Sequence, residues 1–369
     1  MSRSSFGHSL RRIAHLTAAL FAVTVALSVS RPATAEDDPI RIVATVPDLG
    51  SLARSIGGEL VDVTVVAQPQ EDAHFALARP SFVKALSQAD AFIQIGLELE
   101  VGYAAVLLGQ ARNPKVLARN PGYVDSVNPG YIDASTVITP IEVPRVAVDR
   151  SMGDVHAMGN PHYLLDPVRG LKVAALLRDR FSQIRPARQQ EFRERYTSFE
   201  RAVHTALVGE ALAAKYDAVK LAGLHEVGGL ESFLEQQGDR AALGGWLGRM
   251  SPHRGAKVVD DHRIWPYFAR RFGVELFGDM EPVPGIPPTT RHLNELVARM
   301  KAAGVRVIIA APYYDPRHAR FVAEAANATV VPLAHQSGAR PGTPDYLAMI
   351  DYNVTQLAAA LTAVAGAQR

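Results

Sequence analysis

The chain has 369 residues, 39 Lys and Arg against 37 Asp and Glu, and 48% hydrophobic residues, enough to fill more than one core. Its 0 Cys exclude a disulfide framework, any Cys-ligated zinc or iron–sulfur centre, and the lipid-accepting Cys of a bacterial lipoprotein. The formal net charge of +2 gives no argument for nucleic acid, because its excess lies at the N-terminus.

The first 35 residues read as a cleavable export signal. Arg3, Arg11 and Arg12 precede an uncharged, mostly apolar run over 16–29, and Ala33-Thr34-Ala35 supplies small residues for cleavage before Glu36. The run is short for a membrane anchor. Removing it takes away four Arg and no acid, leaving 35 basic residues against 37 acidic ones. A soluble periplasmic protein is expected, and its length of roughly 330 residues favours two domains over one.

From residue 40 short β-branched runs alternate with longer amphipathic ones. Strands are expected at 40–46, 61–67, 91–96 and 115–118, with helices over 49–56, 80–88 and 101–111 between them. A loop-rich crossing follows, marked by Asn120-Pro121-Gly122, Asn128-Pro129-Gly130 and Pro140. Asp166-Pro167 then starts a helix, with Asp as cap and Pro at the first helical position. A charged run over 188–215 keeps Phe192, Tyr196, Phe199, Val203 and Leu207 at helical spacing and reads as a rigid strut between lobes. Beyond it, strands at 256–260, 274–277, 305–311 and 329–333 alternate with helices over 265–272, 289–303, 317–326 and 345–363. The alternation predicts an α/β protein of two (β/α) lobes with parallel sheets joined by a long rigid helix. The domains are a signal at 1–35, an N-terminal lobe at 36–185, a linking helix at 186–216 and a C-terminal lobe at 217–369.

Three histidines sit at junctions between elements. His74 follows the second strand, His162 lies in Asn160-Pro161-His162 ahead of a helix, and His262 follows Val258-Val259-Asp260-Asp261. If the lobes face each other across their strand C-terminal ends, these imidazoles meet in the inter-lobe cleft, where they suit a borderline cation such as zinc. Asp260 and Asp261 are candidates to hold a ligand imidazole by its other N–H. Trp265, Tyr267 and Phe268 read as core, and His204, His225, His253, His292 and His318 as exposed or capping residues. The Gly-rich pieces have no phosphate-binding order, and no Gly-x-Ser-x-Gly or His-Glu-x-x-His pattern occurs.

These segments together resemble the cluster A-I solute-binding proteins of metal ABC transporters, the ZnuA or TroA type. The resemblance is carried by Glu71-Asp72-Ala73-His74 leading to Arg79-Pro80-Ser81, by Gly96-Leu97-Glu98-Leu99-Glu100, by Gly159-Asn160-Pro161-His162 with Leu165-Asp166-Pro167, and by His262 with Tyr267-Phe268 and Arg271-Phe272-Gly273. Glu281-Pro282, Tyr346 and Asp351-Tyr352-Asn353 complete it. It implies a receptor rather than an enzyme, acting as a monomer in the periplasm, binding zinc as cargo with limited lobe closure and delivering it to a membrane permease. His74, His162 and His262 match the family's three histidine ligands; in manganese-binding relatives the third is usually Glu, so His262 points to zinc.

The chain departs from the pattern at Ala334, which stands in the slot of the family's acidic fourth ligand, and at Ala73, where Pro is common. Candidates for the open fourth position are water, His335, Glu281 or His156, the last read here chiefly as a solvated loop residue. Two rival readings are a three-histidine zinc enzyme with water in the fourth position and a two-lobed receptor for a chelated metal. An all-histidine shell also implies that affinity falls as pH drops through ~6.5.

Overall fold

The computed structural model describes residues 38–117, 128–145, 156–283 and 286–367. The expected signal at 1–35, the turn at 120–122 and the segment 151–155 before His156 lie outside the described residues.

The first lobe is built on strands β1 (Ile40–Ala44), β2 (Val61–Val65), β3 (Ala91–Gln94) and β4 (Tyr131–Asp133), all parallel, in the order β2-β1-β3-β4. Helices α1 (Pro47–Gly57), α2 (Pro80–Gln88) and α3 (Ala104–Ala111) connect them. The second lobe repeats this design with β5 (Lys257–Asp260), β6 (Glu275–Asp279), β7 (Val307–Ala310) and β8 (Thr329–Pro332), in the order β6-β5-β7-β8. Between the two sheets the chain is helical: α4 (Pro167–Ile184), α5 (Gln189–Val208), α6 (Glu210–Lys215), α7 (Ala218–Glu226), α8 (Leu230–Gln237) and α9 (Gly245–Met250). The second lobe adds α10 (Pro266–Phe272), α11 (Thr290–Ala303), α12 (Pro316–Ala326) and α13 (Tyr346–Gly366).

Local chemistry explains these boundaries. Pro occupies the first turn of α1, α2, α4, α10 and α12, where its missing N–H costs nothing. Asp166 caps α4 by accepting from the Val168 N–H, and Asp345 caps α13 through Ala348.

Two expectations are corrected. Residues 114–116 form a short 3-10 turn capped by Asn113, and the fourth strand is β4, inside the stretch read as loop. The expected single helix over 188–215 breaks at Gly209, whose φ of 83° turns the chain between α5 and α6. A Cβ there would stand 3.1 Å from the Gly244 Cα, so the close approach of the two backbones also needs glycine.

A hydrophobic core runs through both lobes, from Ile40 and Phe92 through Phe181 and Phe199 to Val258, Trp265, Leu333 and Leu361. Helix α5 packs on α1 of the first lobe and on α7 and α9 of the second. The Tyr346 hydroxyl at the start of α13 donates to the Leu164 carbonyl at 2.6 Å. A core shared in this way leaves little freedom for the lobes to hinge apart.

Candidate metal centre

The candidate residues lie beyond the C-terminal ends of the strands. A cleft of about 410 Å³ between the lobes is lined by Asp72 and His74 from the first and by His262, Glu281 and Tyr314 from the second. Behind it, a cavity of about 40 Å³ is lined by Asp72, His162, Tyr313 and His335, among others.

His74 rides on a single 3-10 turn, Ala73–Phe75, which Asp72 caps by accepting from the His74 backbone N–H at 3.0 Å. The same Asp72 oxygen lies 2.6 Å from His74 Nδ1. A carboxylate can only accept there, so the proton sits on Nδ1 and the Nε2 lone pair faces the cleft. Burial works to raise the Asp72 carboxyl, but the hydrogen bond and charge of His74 prevail and hold it below its usual range. The sequence pointed to Asp260 and Asp261 for this service, and the structure corrects that. Asp261 accepts from the His262 backbone N–H at 2.9 Å, from Trp265 Nε1 at 3.2 Å and from the Ala311 N–H, fixing the junction rather than a ring.

His162 is placed by Asn160, whose Oδ1 accepts from the His162 N–H at 2.9 Å. Asn160 also reaches the other lobe. Its Nδ2 donates to the Arg263 carbonyl at 2.8 Å, and its carbonyl accepts from the Tyr267 hydroxyl at 2.9 Å. The loops carrying His162 and His262 are thereby tied together. The His162 ring meets His74 edge-on, with centroids 5.3 Å apart. Burial, then crowding by His74, His156, His262 and His335, drives the His162 imidazole well below its ordinary pKa.

His262 is 6% exposed, and its Nδ1 is buried without a hydrogen-bond partner among the described residues. Burial, then the neighbouring His74, lowers its pKa to about 4. An imidazole kept neutral with an unsatisfied nitrogen is a sound donor for a metal.

His156 departs from the sequence reading. It is half-buried, its Nε2 lies 3.0 Å from His74 Nε2, and the two rings stack with centroids 5.1 Å apart. His335 has Nε2 3.1 Å from the Glu71 carbonyl and its ring against Tyr313, while Nδ1 makes no hydrogen bond among the described residues. Glu281 is 8% exposed on the cleft wall. Among the described residues, no three His, Asp or Glu side chains are gathered tightly enough to hold an ion as they stand. The donors converge as pairs instead, His74 with His156 and His74 with His162.

The Ala334 slot keeps its backbone position without a donor. Asn353 clamps it from both sides, its Oδ1 accepting from the Ala334 N–H and its Nδ2 donating to the Ala334 carbonyl, each at 2.7 Å. Next to it, the Gln336 amide donates to the carbonyls of Gln68, Pro69 and Glu71 at 2.9, 3.1 and 3.2 Å, and Ser337 donates to Asp48. The loop ahead of His74 is thus held by the opposite lobe.

Comparison with known proteins agrees with this architecture. The family model described as zinc-uptake complex component A, periplasmic, matches residues 42–217 and 247–360. The chain belongs to the ZnuA family. A crystal structure of ZnuA shares 18% identity at a TM-score of 0.61, covering 88% of this chain and 100% of that one. A zinc-bound deletion mutant of ZnuA shares 18% at 0.60, covering 88% and 98%. The manganese-bound form of a periplasmic metal-binding protein from Candidatus Liberibacter asiaticus shares 15% at 0.57, covering 87% and 98%. At these identities the solved structures speak for the fold. The ZnuA family consists of periplasmic metal-binding receptors that work with ABC permeases.

Two further sequence expectations meet the structure here. Trp265, Tyr267 and Phe268 are core, all 0% exposed. His225, read as exposed or capping, is buried at 2%. Its Nε2 faces Gly273, where a Cβ would come within 3.2 Å.

Proposed function

We propose that this ZnuA-family protein captures zinc between its lobes with His74, His162 and His262 and passes it, as a monomer, to an ABC-type permease. On this reading residues 1–35 are its export signal, 36–185 and 217–369 its lobes, and 186–216 the link between them. The observation that supports the proposal is that His74 and His262 line one cleft from opposite lobes while the His162 ring meets His74 edge-on, with Asp72 setting the tautomer of His74. Uncharged imidazoles favour zinc over manganese, which prefers oxygen donors. Binding zinc draws the donors together by small movements, because Asn160 and Gln336 already fix the loops from across the cleft.

The test is a competition titration on metal-stripped protein. Zinc should bind in preference to manganese at one ion per chain, and His162→Ala or His262→Ala should each cost at least ~100-fold in affinity, above the effect of losing an outer partner. Unchanged zinc affinity in both variants contradicts the ligand assignment.

A further inference from the structure

We infer that His156 supplies the fourth nitrogen to the bound zinc and that Glu98 is the positioning residue that puts it there. This rests on the zinc-receptor reading above and goes beyond it, because the fourth position is the one where the chain departs from its family.

The second lobe offers no side-chain donor at Ala334, and Asn353 locks that backbone in place. His335 also has a nitrogen without a hydrogen bond among the described residues, but its other nitrogen sits beside the Glu71 carbonyl and its ring packs on Tyr313, whereas His156 stacks on His74 itself. His156 comes from the first lobe. Two nitrogens bound to one tetrahedral zinc at ~2.0–2.1 Å stand roughly 3.3 Å apart. The His74 and His156 Nε2 atoms are 3.0 Å apart, so a few tenths of an ångström separate this pair from ligand spacing. With Asp72 holding the Nδ1 proton of His74, the His74 Nε2 accepts from the His156 Nε2–H in this structure, and zinc takes the place of that hydrogen as the His156 proton shifts to Nδ1.

What holds His156 there is a device in the first lobe. Gly96, Leu97 and Glu98 take φ of 77°, 51° and 70°, a left-handed run that is uncommon outside glycine. Glu100, buried beneath it, keeps the run in place: its carboxylate accepts from the Ile95 and Gly96 N–H groups at 2.7 and 3.0 Å and from the Thr45 hydroxyl at 2.6 Å. Turned out by this backbone, the Glu98 carboxylate accepts from the Ala157 N–H at 2.8 Å, one residue beyond His156. Strain kept by surrounding hydrogen bonds beside a binding cleft is expected where it serves the site. Four imidazoles around zinc form a closed tetrahedron without a position for reactive water, which a hydrolytic site would need.

The experiment loads metal-stripped protein with cobalt(II) alone, reads its visible absorption as a report of coordination, and measures zinc affinity by competition. His156→Ala should change the cobalt spectrum to that of a weaker, water-containing site and reduce zinc affinity by at least about tenfold. Glu98→Ala should move both readouts in the same direction by less. Glu98→Gln, whose amide oxygen still accepts from the Ala157 N–H, should restore them. A His156→Ala spectrum and affinity equal to those of the unaltered protein overturn the inference while His162→Ala still abolishes binding, which leaves the receptor reading standing. If the unaltered protein takes up neither cobalt nor zinc, both readings fall.

Discussion

At the scale of single residues, the carboxylate that matters most to the cleft is Asp72. It fixes both the backbone and the ring of His74. Asp72→Ala should therefore lower zinc affinity by about 10–100-fold, the usual cost of losing an outer partner, with the fold intact by circular dichroism. Acidity gives a second prediction. His156 and His262 are held at about 4, and His162 well below its ordinary value, by burial first and by neighbouring imidazoles next. At a pH of about 6 these three are already neutral, so zinc displaces no proton from them; the acid loss of affinity that His156 and His262 contribute falls near 4 instead of ~6.5, and that of His162 lies well below its ordinary range. Calorimetry in buffers of different ionisation heat should count fewer than two protons released per zinc; two or more contradict it. The placement of His74, His162 and His262 at element junctions was legible in sequence because each closes or precedes a recognisable element. His156 was named among the candidates for the fourth position but read chiefly as a solvated loop residue, because its contact with His74 depends on Glu98, 59 positions away from Ala157, and no local pattern encodes such a contact.

Among the elements, helix α10 is joined to the start of α4 by a buried ion pair. Arg271, 4% exposed, donates to both oxygens of Asp166 at 2.8 and 3.1 Å and lies 3.2 Å from Glu226 on α7. Removing one partner leaves buried charge behind, so Arg271→Ala should cost about 3 kcal/mol in denaturant unfolding. A loss under about 1 kcal/mol would mean that the pair is solvated. His225, beside this network, is lowered to about 4, by burial first and then by Arg254. Unfolded, it titrates near ~6.5, so between those values the unfolded chain binds more protons and stability falls as pH falls. His225→Asn should make this part of the pH slope disappear in thermal melts of metal-free protein. Most elements were legible from β-branched runs and Pro or Asp caps. Strand β4 was hidden because its three residues, Tyr131–Asp133, are too few to show alternation and follow Asn128-Pro129-Gly130. The break at Gly209 was hidden by good helix formers on both sides, Ala206-Leu207 and Glu210-Ala211-Leu212.

Across the whole molecule, the matching orders β2-β1-β3-β4 and β6-β5-β7-β8 point the strand ends of both lobes toward the cleft. This architecture was legible in the order of strands and helices. The shared core was not, because it depends on α5 and α13 packing across lobes. A ligand that binds only the folded state stabilises it by about 2.7 kcal/mol at a hundredfold excess over its Kd, so zinc should raise the melting temperature. The most direct measurement is elemental analysis of the purified protein, followed by zinc and manganese competition on the stripped form. One tightly held zinc per chain, regained in preference to manganese, is the predicted result; no retained metal, or manganese preferred, would contradict the account.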